Sequence, residues 1–459
     1  MTTVADEVAV IRPAARLRGE LRLPGDKSIS HRALMLATLA EGESRIAGAG
    51  DGADVRSTAG ICAALGAAVD RIADDETAAT VSYRVVSPGV DGLAEPAADL
   101  DCGNSGTSLR LFSGIAAGLP FRTVLDGDDS LRRRPVARII EPLRAMGATL
   151  HARSDDSLPP LTVIGRRPLH AVDRWTPVPS AQVKSAILLA ALRADGRTTV
   201  REAVATRDHT ERMLRARGVD VRTVSLPASE ADGRDGAMAV SVEGGQTVAA
   251  VDERVPGDVS AAAFWLVAGS IHPDADLTLQ GVGLNPTRRA VIDLLRAMGA
   301  SIEEHPTDGA RAADGRVGEP IADLRVRSAE LRPIELGPAD VAAAIDEIPV
   351  LCLAAAAAGG ATTIRGAGEL RHKESDRITG TADGLRALGV DISVDGDDLT
   401  IRGGRPLGGA VVDSLDDHRL AMTFAIAGLL ASGETSVRRP GSASISYPGF
   451  FDDLGRVGS

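Results

Sequence analysis

The sequence predicts an α/β protein of two domains, each built from three related units packed around buried helices. Two observations carry this prediction: six segments share one pattern, and a Pro-Gly-Asp-x-Ser frame occurs twice. The frame begins at Pro24 and again at Pro256, and an apolar, helix-like run follows each copy. The second copy lacks the charges that Lys27 and Arg32 supply in the first. The two halves are therefore expected to share a fold and to differ in chemistry.

Each of the six segments consists of an apolar helix-like run, a break and a short strand-like run. The pattern recurs roughly every 78 residues, a period that suits a compact unit of strands and two helices better than a thin solenoid. The helices, such as Pro349–Ala358, are apolar nearly all round and are expected to be buried. The segments are Ala33–Ile46, Leu109–Val124, Ser185–Val200, Ala261–Leu279, Val350–Ile364 and Leu420–Val437.

A second series of amphipathic runs predicts six further helices. Each run ends near a glycine, which marks a helix C-terminus because glycine accepts a left-handed backbone at little cost. These glycines are Gly66, Gly147, Gly218, Gly299, Gly389 and Gly455. The halves meet near Val251–Pro256. We therefore expect one domain at 24–254 and a second at 1–23 and 255–459, so that the chain crosses between them twice.

Composition argues against several classes of function. Apolar residues make up 44% of the chain but aromatic residues only 2%, so there is no platform for stacking nucleic-acid bases. The net charge of −12 also opposes nucleic-acid binding. Neither a signal peptide nor an 18-residue apolar stretch is present, so we expect a cytoplasmic protein without membrane contact. Three cysteines without CxxC spacing and eight scattered histidines predict no metal site.

Positive charge gathers beside helix starts and glycine-containing turns, although the chain as a whole is acidic. Turn amides and helix N-termini bind anions, and Arg adds a bidentate fork for carboxylate and phosphate. This arrangement indicates a small polyanionic ligand rather than ordinary surface charge. The residues are Lys27, Arg32, Arg110, Arg132, Arg133, Arg134, Lys184, Arg207, Lys373, Arg377 and Arg419.

Several motifs also have a purely structural interpretation. Asp346 and Ser180 precede apolar runs, where either side chain would serve as a helix N-cap. Lys373 and Arg377 are spaced to share one face of a helix. Cys102 has no sequence neighbour that would lower its pKa, so we interpret it as buried and inert.

Eight motifs in one order show that the chain resembles the 5-enolpyruvylshikimate-3-phosphate (EPSP) synthase family along nearly its whole length. They are PGDKSISHR at 24–32, GNSGTSLR at 103–110, RRP ending at Pro135, SAQVKS at 180–185, RDHTE at 207–211, IDEIP at 345–349, KESDR at 373–377 and DHRLAM at 417–422. The resemblance implies a two-domain inside-out α/β fold in which each domain holds three βαβαββ units. The active site would lie in the interdomain cleft.

The resemblance further implies an enzyme of the shikimate pathway, which leads to aromatic amino acids. It would transfer the enolpyruvyl group of phosphoenolpyruvate to the 5-hydroxyl of shikimate 3-phosphate and release phosphate. We expect a monomer that needs no cofactor. The catalytic residues would be Asp346 as proton acceptor, with Glu374 or Lys27 protonating the methylene carbon.

The implied binding residues fall into two overlapping sets. Those for shikimate 3-phosphate are Lys27, Ser28, Arg32, Ser180, Ala181, Gln182, Arg207, Asp346 and Lys373. Those for phosphoenolpyruvate are Lys27, Gly106, Arg134, Gln182, Arg377 and Arg419.

Two other functions compete with this one. UDP-N-acetylglucosamine enolpyruvyl transferase shares the fold, but its mobile loop carries a reactive Cys, whereas Gly127–Arg134 contains arginines and no Cys. A non-catalytic small-anion-binding protein could use the same cations. It would not need the acid–base pair Asp346 and Glu374.

Overall fold

The computed structural model describes residues 3–5, 7–73, 80–176, 178–227, 229–231, 234, 236–307 and 318–458. The remaining positions, which fall in both predicted domains, lie outside the described residues. The strands are β1 (Thr3–Ala5), β2 (Val8–Ile11), β3 (Leu17–Arg22), β4 (Glu41–Gly50), β5 (Ala68–Ala73), β6 (Thr80–Pro88), β7 (Leu100–Asp101), β8 (Arg122–Asp126), β9 (Thr149–Ala152), β10 (Leu158–Ile164), β11 (Asp173–Trp175), β12 (Arg197–Glu202), β13 (Val221–Ser225), β14 (Met238–Glu243), β15 (Glu253–Arg254), β16 (Ala275–Gly283), β17 (Ser301–Pro306), β18 (Ile321–Arg327), β19 (Glu335–Leu336), β20 (Gly360–Ile364), β21 (Asp391–Asp395), β22 (Asp398–Gly403), β23 (Val411–Asp413) and β24 (Thr435–Arg438).

The helices are interspersed among these strands. They are α1 (Lys27–Leu39), α2 (Ala53–Ala64), α3 (Gly106–Ala117), α4 (Ala137–Ala145), the left-handed turn α5 (Arg153–Asp156), α6 (Ala181–Ala191), α7 (His209–Ala216), α8 (Val259–Ile271), α9 (Ala290–Ala297), α10 (Pro338–Ala343), α11 (Ile348–Ala357), α12 (Arg377–Ala387), α13 (His418–Leu430) and α14 (Phe450–Val457). Short 3₁₀ helices lie at Leu131–Arg133, Gly368–His372 and Pro440–Ile445.

The strands that the structure describes form six four-stranded sheets with one shared pattern. Their strand orders are β15-β4-β6-β5, β7-β8-β10-β9, β11-β12-β14-β13, β3-β16-β18-β17, β19-β20-β22-β21 and β23-β24-β2-β1. In every sheet the first pair is parallel and the next two pairs are antiparallel. The six-fold repeat predicted from the sequence is confirmed by this regularity.

Two separate hydrophobic cores hold the sheets together. The first core draws on residues between 29 and 255, and the second on residues 9–23 and 259–457. The apolar helices α1, α3 and α6 belong to the first core, while α8, α11 and α13 belong to the second. In α11 every residue from Ile348 to Ala356 is buried, as expected for a helix with no polar face. The second core also takes strands from the start of the chain, because β3 pairs with β16 and β2 pairs with β24.

Most of the predicted helix ends are confirmed, and one is wrong. The glycines at 66, 147, 218, 299 and 389 each follow a helix and have φ between +84° and +106°. Gly455, by contrast, lies inside α14, which continues to Val457. The buried side chains of Leu454 and Val457 explain the longer helix, because packing on both sides of the glycine holds it helical.

The Lys373–Asp376 segment also departs from prediction. These residues lie in a loop, and α12 begins only at Arg377, so Lys373 and Arg377 do not share a helical face. Asp376 caps this helix by accepting hydrogen bonds from the amides of Ile378 and Thr379, both at 3.1 Å. The capping aspartate sets the helix start, which the i and i+4 spacing does not reveal.

None of the helices in the described part of the chain has the length and hydropathy needed to cross a membrane.

Candidate functional site

The predicted site residues lie at or just before the N-termini of helices from both cores. The first core supplies Lys27, Ser28 and Arg32 on α1, Gly106 on α3, Ala181 and Gln182 on α6, Ser180 as the cap of α6, Arg134 after a 3₁₀ helix and Arg207 before α7. The second core supplies Asp346 before α11, Lys373 and Glu374 before α12, Arg377 at the start of α12 and Arg419 in the first turn of α13. Because helix N-termini carry partial positive charge, this arrangement favours anions.

Two cations at the start of α1 are held by fixed partners. Lys27 Nζ lies 3.0 Å from Asp54 Oδ2, and Asp54 is buried. Burial alone would lower the pKa of Lys27, but Asp54 and Glu374 outweigh burial and raise it. Arg32 is buried and donates to Thr210 Oγ1 at 2.7 Å from Nε, while its Nη atoms contact α1 and α6. Both cations are thus locked in position beside the helix terminus.

A second group of polar contacts joins the starts of α3 and α6. Arg110 Nη1 donates to Gln182 Oε1 at 2.8 Å, and Gln182 Nε2 donates to Thr107 Oγ1 at 3.0 Å. A Cβ placed on Gly106 would lie 2.7 Å from Arg110 Nη1 and 3.5 Å from Arg134 Nη1. The glycine therefore leaves two guanidinium groups close to the α3 N-terminus.

Asp346 is the meeting point of the two cores. Its Oδ2 accepts a hydrogen bond from Arg207 Nη2 at 2.8 Å. Its Oδ1 lies 3.4 Å from Lys373 Nζ and 3.6 Å from Arg377 Nη1. Burial alone would raise the pKa of Asp346, but Lys373, Arg207, Arg419 and Arg377 hold it well below its usual range. Asp346 does not cap α11, since the cap position belongs to Glu347 and no side chain caps it.

Arg377 is among the most completely buried side chains of the site. It donates from Nη2 to Glu374 Oε2 at 2.6 Å and from Nε to Asp417 Oδ2 at 2.8 Å. Burial alone would raise the pKa of Glu374, but Arg377 and other cations lower it. Asp417 also caps α13 by accepting the amide of Arg419 at 2.9 Å. One carboxylate therefore orients the Arg377 guanidinium and caps the helix whose first turn carries Arg419.

The structure adds residues that the sequence did not single out. Asp54 anchors Lys27, and Thr210 anchors Arg32. Glu347 is buried and lies 3.6 Å from Arg419 Nη1 and 3.5 Å from Arg288 Nη2. Glu347 could have been noticed, because it stands next to Asp346 in the IDEIP motif. Thr210 could likewise have been noticed within the RDHTE motif, whereas Asp54 carries no local signal, since its partner Lys27 lies elsewhere in the chain.

Three residues considered from the sequence lie away from this arrangement. Lys184 is buried between Glu202 and Glu211, with Nζ 2.8 Å from a carboxylate oxygen of each. Arg132 forms a surface pair with Asp126 at 2.6 Å. Cys102 is buried and burial raises its pKa, in agreement with an inert thiol. A position beside a helix start or turn therefore did not suffice to identify an anion-binding cation, as Lys184 and Arg132 show.

Within the described residues, no group of three or more His, Cys, Asp or Glu side chains has an arrangement that would hold a metal ion. The candidate site is instead a ring of Lys and Arg side chains, interleaved with a few carboxylates, at the junction of two cores. Such a ring can hold two multiply charged anions next to a buried carboxylate.

The chain is similar to known proteins over nearly its whole length. A sequence profile described as EPSP synthase (3-phosphoshikimate 1-carboxyvinyltransferase) matches residues 11–454. The 3-phosphoshikimate 1-carboxyvinyltransferase of Gloeobacter violaceus is 51% identical over 451 residues, which cover 97% of this chain and 98% of that protein. Its counterpart in Halorhodospira halophila is 49% identical over 448 residues, with 98% and 95% covered.

Solved structures show the same relationship. The EPSP synthase of Acinetobacter baumannii has a TM-score of 0.85 at 38% identity and covers 98% of both chains. The enolpyruvyl transferase NikO of Streptomyces tendae, at 22% identity and a TM-score of 0.76, covers 98% of this chain and 97% of its own and shares the fold. The chain belongs to the EPSP synthase family.

Proposed function

We propose that this chain transfers the enolpyruvyl group of phosphoenolpyruvate to the 5-hydroxyl of shikimate 3-phosphate and releases phosphate. The observation that carries the proposal is the convergence of cations from both cores on Asp346. Each phosphate brings about 1.5–2 negative charges at neutral pH, and each substrate adds a carboxylate. Two charges about 4 Å apart repel by roughly 4 kcal/mol at an effective dielectric of about 20, so the ring of cations is needed for both substrates to bind together.

The chemistry needs one base and one acid. We propose that Asp346 accepts the proton of the 5-hydroxyl. The hydroxyl oxygen at the same time bonds to the carbon of phosphoenolpyruvate that carries the phosphate. The methylene carbon gains a proton in the same step. Because the product keeps its methylene group, the methyl carbon then gives a proton back to the group that donated one, while the C–O bond to phosphate breaks and Asp346 passes its proton to the departing phosphate. A positioned acid or base of this kind typically contributes about 10²–10⁴-fold to the rate.

Lys27 is the better candidate for the acid of the first step. A lysine ammonium group is protonated at neutral pH, and Asp54 and Glu374, which raise the pKa of Lys27, keep it in that form. Arg377 is the chief cause that lowers the pKa of Glu374. Glu374 is therefore ionised and has no proton to donate. Glu374 would then serve to position Arg377 and to hold charge near the methylene carbon.

The substrate-binding roles follow the same division. We propose that Ser180, Ala181, Gln182 and Arg207 hold the phosphate of shikimate 3-phosphate, with Lys27, Ser28 and Arg32 beside them. Gly106, Arg134, Arg377 and Arg419 would surround phosphoenolpyruvate. The proposal is supported by the contacts Arg110–Gln182 and Arg32–Thr210, which hold these helix starts in place.

We further propose that the two cores correspond to two domains, at 24–254 and at 1–23 with 255–459, and that the protein works as a cytoplasmic monomer. Limited proteolysis with mass spectrometry would test the boundaries, and light scattering would test the monomer.

The direct test of function is release of inorganic phosphate from a mixture of both substrates. We expect release with shikimate 3-phosphate and phosphoenolpyruvate, and none when either is omitted. Replacing shikimate 3-phosphate with UDP-N-acetylglucosamine tests the alternative transferase. Binding of both substrates without phosphate release would instead favour the non-catalytic anion-binding protein.

A further inference from the structure

The contact between Arg207 and Asp346 joins two residues whose proposed roles concern different ends of one substrate. Arg207 belongs to the first core and is proposed to bind the 3-phosphate. Asp346 belongs to the second core and is proposed to accept the 5-hydroxyl proton. In the structure the guanidinium is bonded to the base itself, with Arg207 Nη2 2.8 Å from Asp346 Oδ2.

The two carboxylate oxygens of Asp346 are occupied differently. Oδ1 faces Lys373 Nζ at 3.4 Å and Arg377 Nη1 at 3.6 Å. Oδ2 carries the shorter bond, which comes from Arg207. Among the described residues, Arg207 is thus the one that donates a hydrogen bond to Oδ2. An oxygen that accepts a charge-assisted hydrogen bond is a weaker proton acceptor than the same oxygen without one.

Of the two arginines on Asp346, Arg207 is held by fewer contacts than Arg377. The Arg377 side chain is 1% exposed and is fixed from two sides by Glu374 and Asp417. The Arg207 side chain is 27% exposed and has Asp346 as its ion-pair partner. Its chain neighbour Asp208 is held firmly, accepting from Arg212 Nε at 2.9 Å and from Asn285 Nδ2 at 2.8 Å. A partly exposed side chain next to a well-held residue allows the guanidinium to turn without moving α7.

We infer that Arg207 covers the general base and that the substrate's own 3-phosphate removes it. The inference rests on the proposed function. A phosphate dianion offers Arg207 more charge and a bidentate geometry than one carboxylate oxygen does. Arg207 therefore turns from Asp346 to the phosphate when shikimate 3-phosphate binds, and Oδ2 becomes available for the 5-hydroxyl proton. The phosphate, remote from the reacting hydroxyl, acts as the signal that activates the base.

This mechanism predicts opposite effects of one substitution on two substrates. Shikimate, which lacks the 3-phosphate, cannot withdraw Arg207, so the parent enzyme should use it poorly. Arg207→Met removes a phosphate ligand and also uncovers Asp346. We expect kcat/KM to fall by roughly 10- to 100-fold with shikimate 3-phosphate. With shikimate we expect kcat/KM to rise by at least about threefold, because the base is relieved of one adjacent cation.

Ser180→Ala is the matched control. Ser180 is another proposed phosphate ligand, but its hydroxyl caps α6 by accepting a hydrogen bond from the Val183 amide. This variant should lose activity with shikimate 3-phosphate and should not gain activity with shikimate. Thermal unfolding of each variant checks that the fold is intact, which is expected because the Arg207 side chain is only partly buried.

A crystal structure of the parent enzyme with shikimate 3-phosphate gives a readout that does not depend on turnover. We expect Arg207 on the phosphate and more than 4 Å from Asp346 Oδ2, beyond the limit for an ion pair. A retained Arg207–Asp346 bond in that complex, or a fall in the activity of Arg207→Met with both substrates, would overturn the inference. If the parent enzyme releases no phosphate from shikimate 3-phosphate and phosphoenolpyruvate, the proposed function itself fails, which is a separate result.

Discussion

Neighbouring charges set the ionisation state of single residues in the candidate site, and Asp346 shows this most clearly. Cations from both cores surround it, and their combined effect overrides the burial that would otherwise keep a carboxyl group neutral. The same balance makes Glu374 an anion and Lys27 a cation. Substitutions that keep shape and change charge or proton affinity are therefore the most informative tests at this scale.

Asp346→Asn should lower turnover by about 10²-fold or more while shikimate 3-phosphate binding stays within about tenfold. The amide keeps the shape of the side chain and an oxygen for Arg207 but cannot take up the hydroxyl proton. Steady-state kinetics and titration calorimetry measure the two quantities. Asp416→Asn, on an exposed aspartate of the neighbouring α13 loop, is the control. A fall in turnover of less than about fivefold would mean that Asp346 is not the base.

Gly106→Ala should raise the KM for phosphoenolpyruvate by roughly 5- to 150-fold, the equivalent of a crowded contact of about 1–3 kcal/mol. The added methyl would meet Arg110 Nη1 at 2.7 Å, and because that atom ends a flexible side chain, the guanidinium shifts and the fold survives. Gly114→Ala on the same helix is the contrast. Its methyl would lie 2.1 Å from the backbone oxygen of Ala186, so it should lower the melting temperature. Equal losses of stability in both variants would contradict this prediction.

At the scale of secondary-structure elements, buried charged residues tie helices to strands. Lys184 on α6 meets Glu202 on β12 and Glu211 on α7, and all three side chains are at most 2% exposed. Burial alone would lower the pKa of Lys184, but Glu211 and Glu202 raise it. Burial raises the pKa of Glu211. Such a cluster holds three elements in register and makes each member depend on the others.

Lys184→Met should destabilise the fold by about 3–5 kcal/mol, because two buried carboxylates lose their counter-charge. The loss should be smaller at pH 5 than at pH 8. A carboxyl group whose pKa is raised in the folded state stabilises that state below its unfolded pKa, and the contribution is lost as pH rises through the folded pKa. Urea unfolding at both pH values measures the effect. The double variant Lys184→Met/Glu211→Gln should recover part of the stability, and no recovery would argue against an electrostatic cause.

Removal of the buried imidazole in His31→Asn should make stability less sensitive to acid. Burial lowers the pKa of His31 to about 3, whereas the unfolded chain has a value near 6.5. The unfolded state therefore binds more protons below pH 6.5, and the folded state loses stability as pH falls toward 3. Urea unfolding between pH 6.5 and 5 should show a slope reduced by up to about 1.4 kcal/mol per pH unit. His151→Asn, at an exposed histidine, should leave the slope unchanged.

At the scale of the whole molecule, the residues proposed for both substrates come from the two cores. Contacts between the cores already include Arg207 with Asp346 and, near the same segment, His209 Nδ1 with Glu319 Oε1 at 2.7 Å. Anions bound between opposing cations would draw the cores together, since each substrate would contact both.

We therefore expect shikimate 3-phosphate to reduce the radius of gyration in small-angle scattering, and phosphoenolpyruvate added afterwards to preserve the reduction. Arg207→Met should reduce the change, because it removes one substrate contact from the first core. An unchanged radius of gyration, together with superimposable crystal structures with and without substrate, would contradict domain closure.

Local pattern was sufficient to predict the repeating architecture of this chain. The apolar runs at Pro349–Ala358 and its five counterparts identified the buried helices, because a helix without a polar face is stable only inside a core. Five of the six C-terminal glycines were correct for the same local reason, and Gly455 failed where burial of Val457 extended the helix. The charged residues at helix starts were also visible, since N-terminal signals lie within a few residues of each other.

The pairing of those charged residues was decided only by the tertiary structure. Arg207 and Asp346 are 139 positions apart, and no periodicity connects them. Lys184 and Arg377 stand alike beside helix starts, yet one is enclosed by Glu202 and Glu211 while the other reaches Asp346. The physical reason is that side-chain charges act over a few ångströms in space, whereas sequence patterns report only on neighbours along one helix or strand.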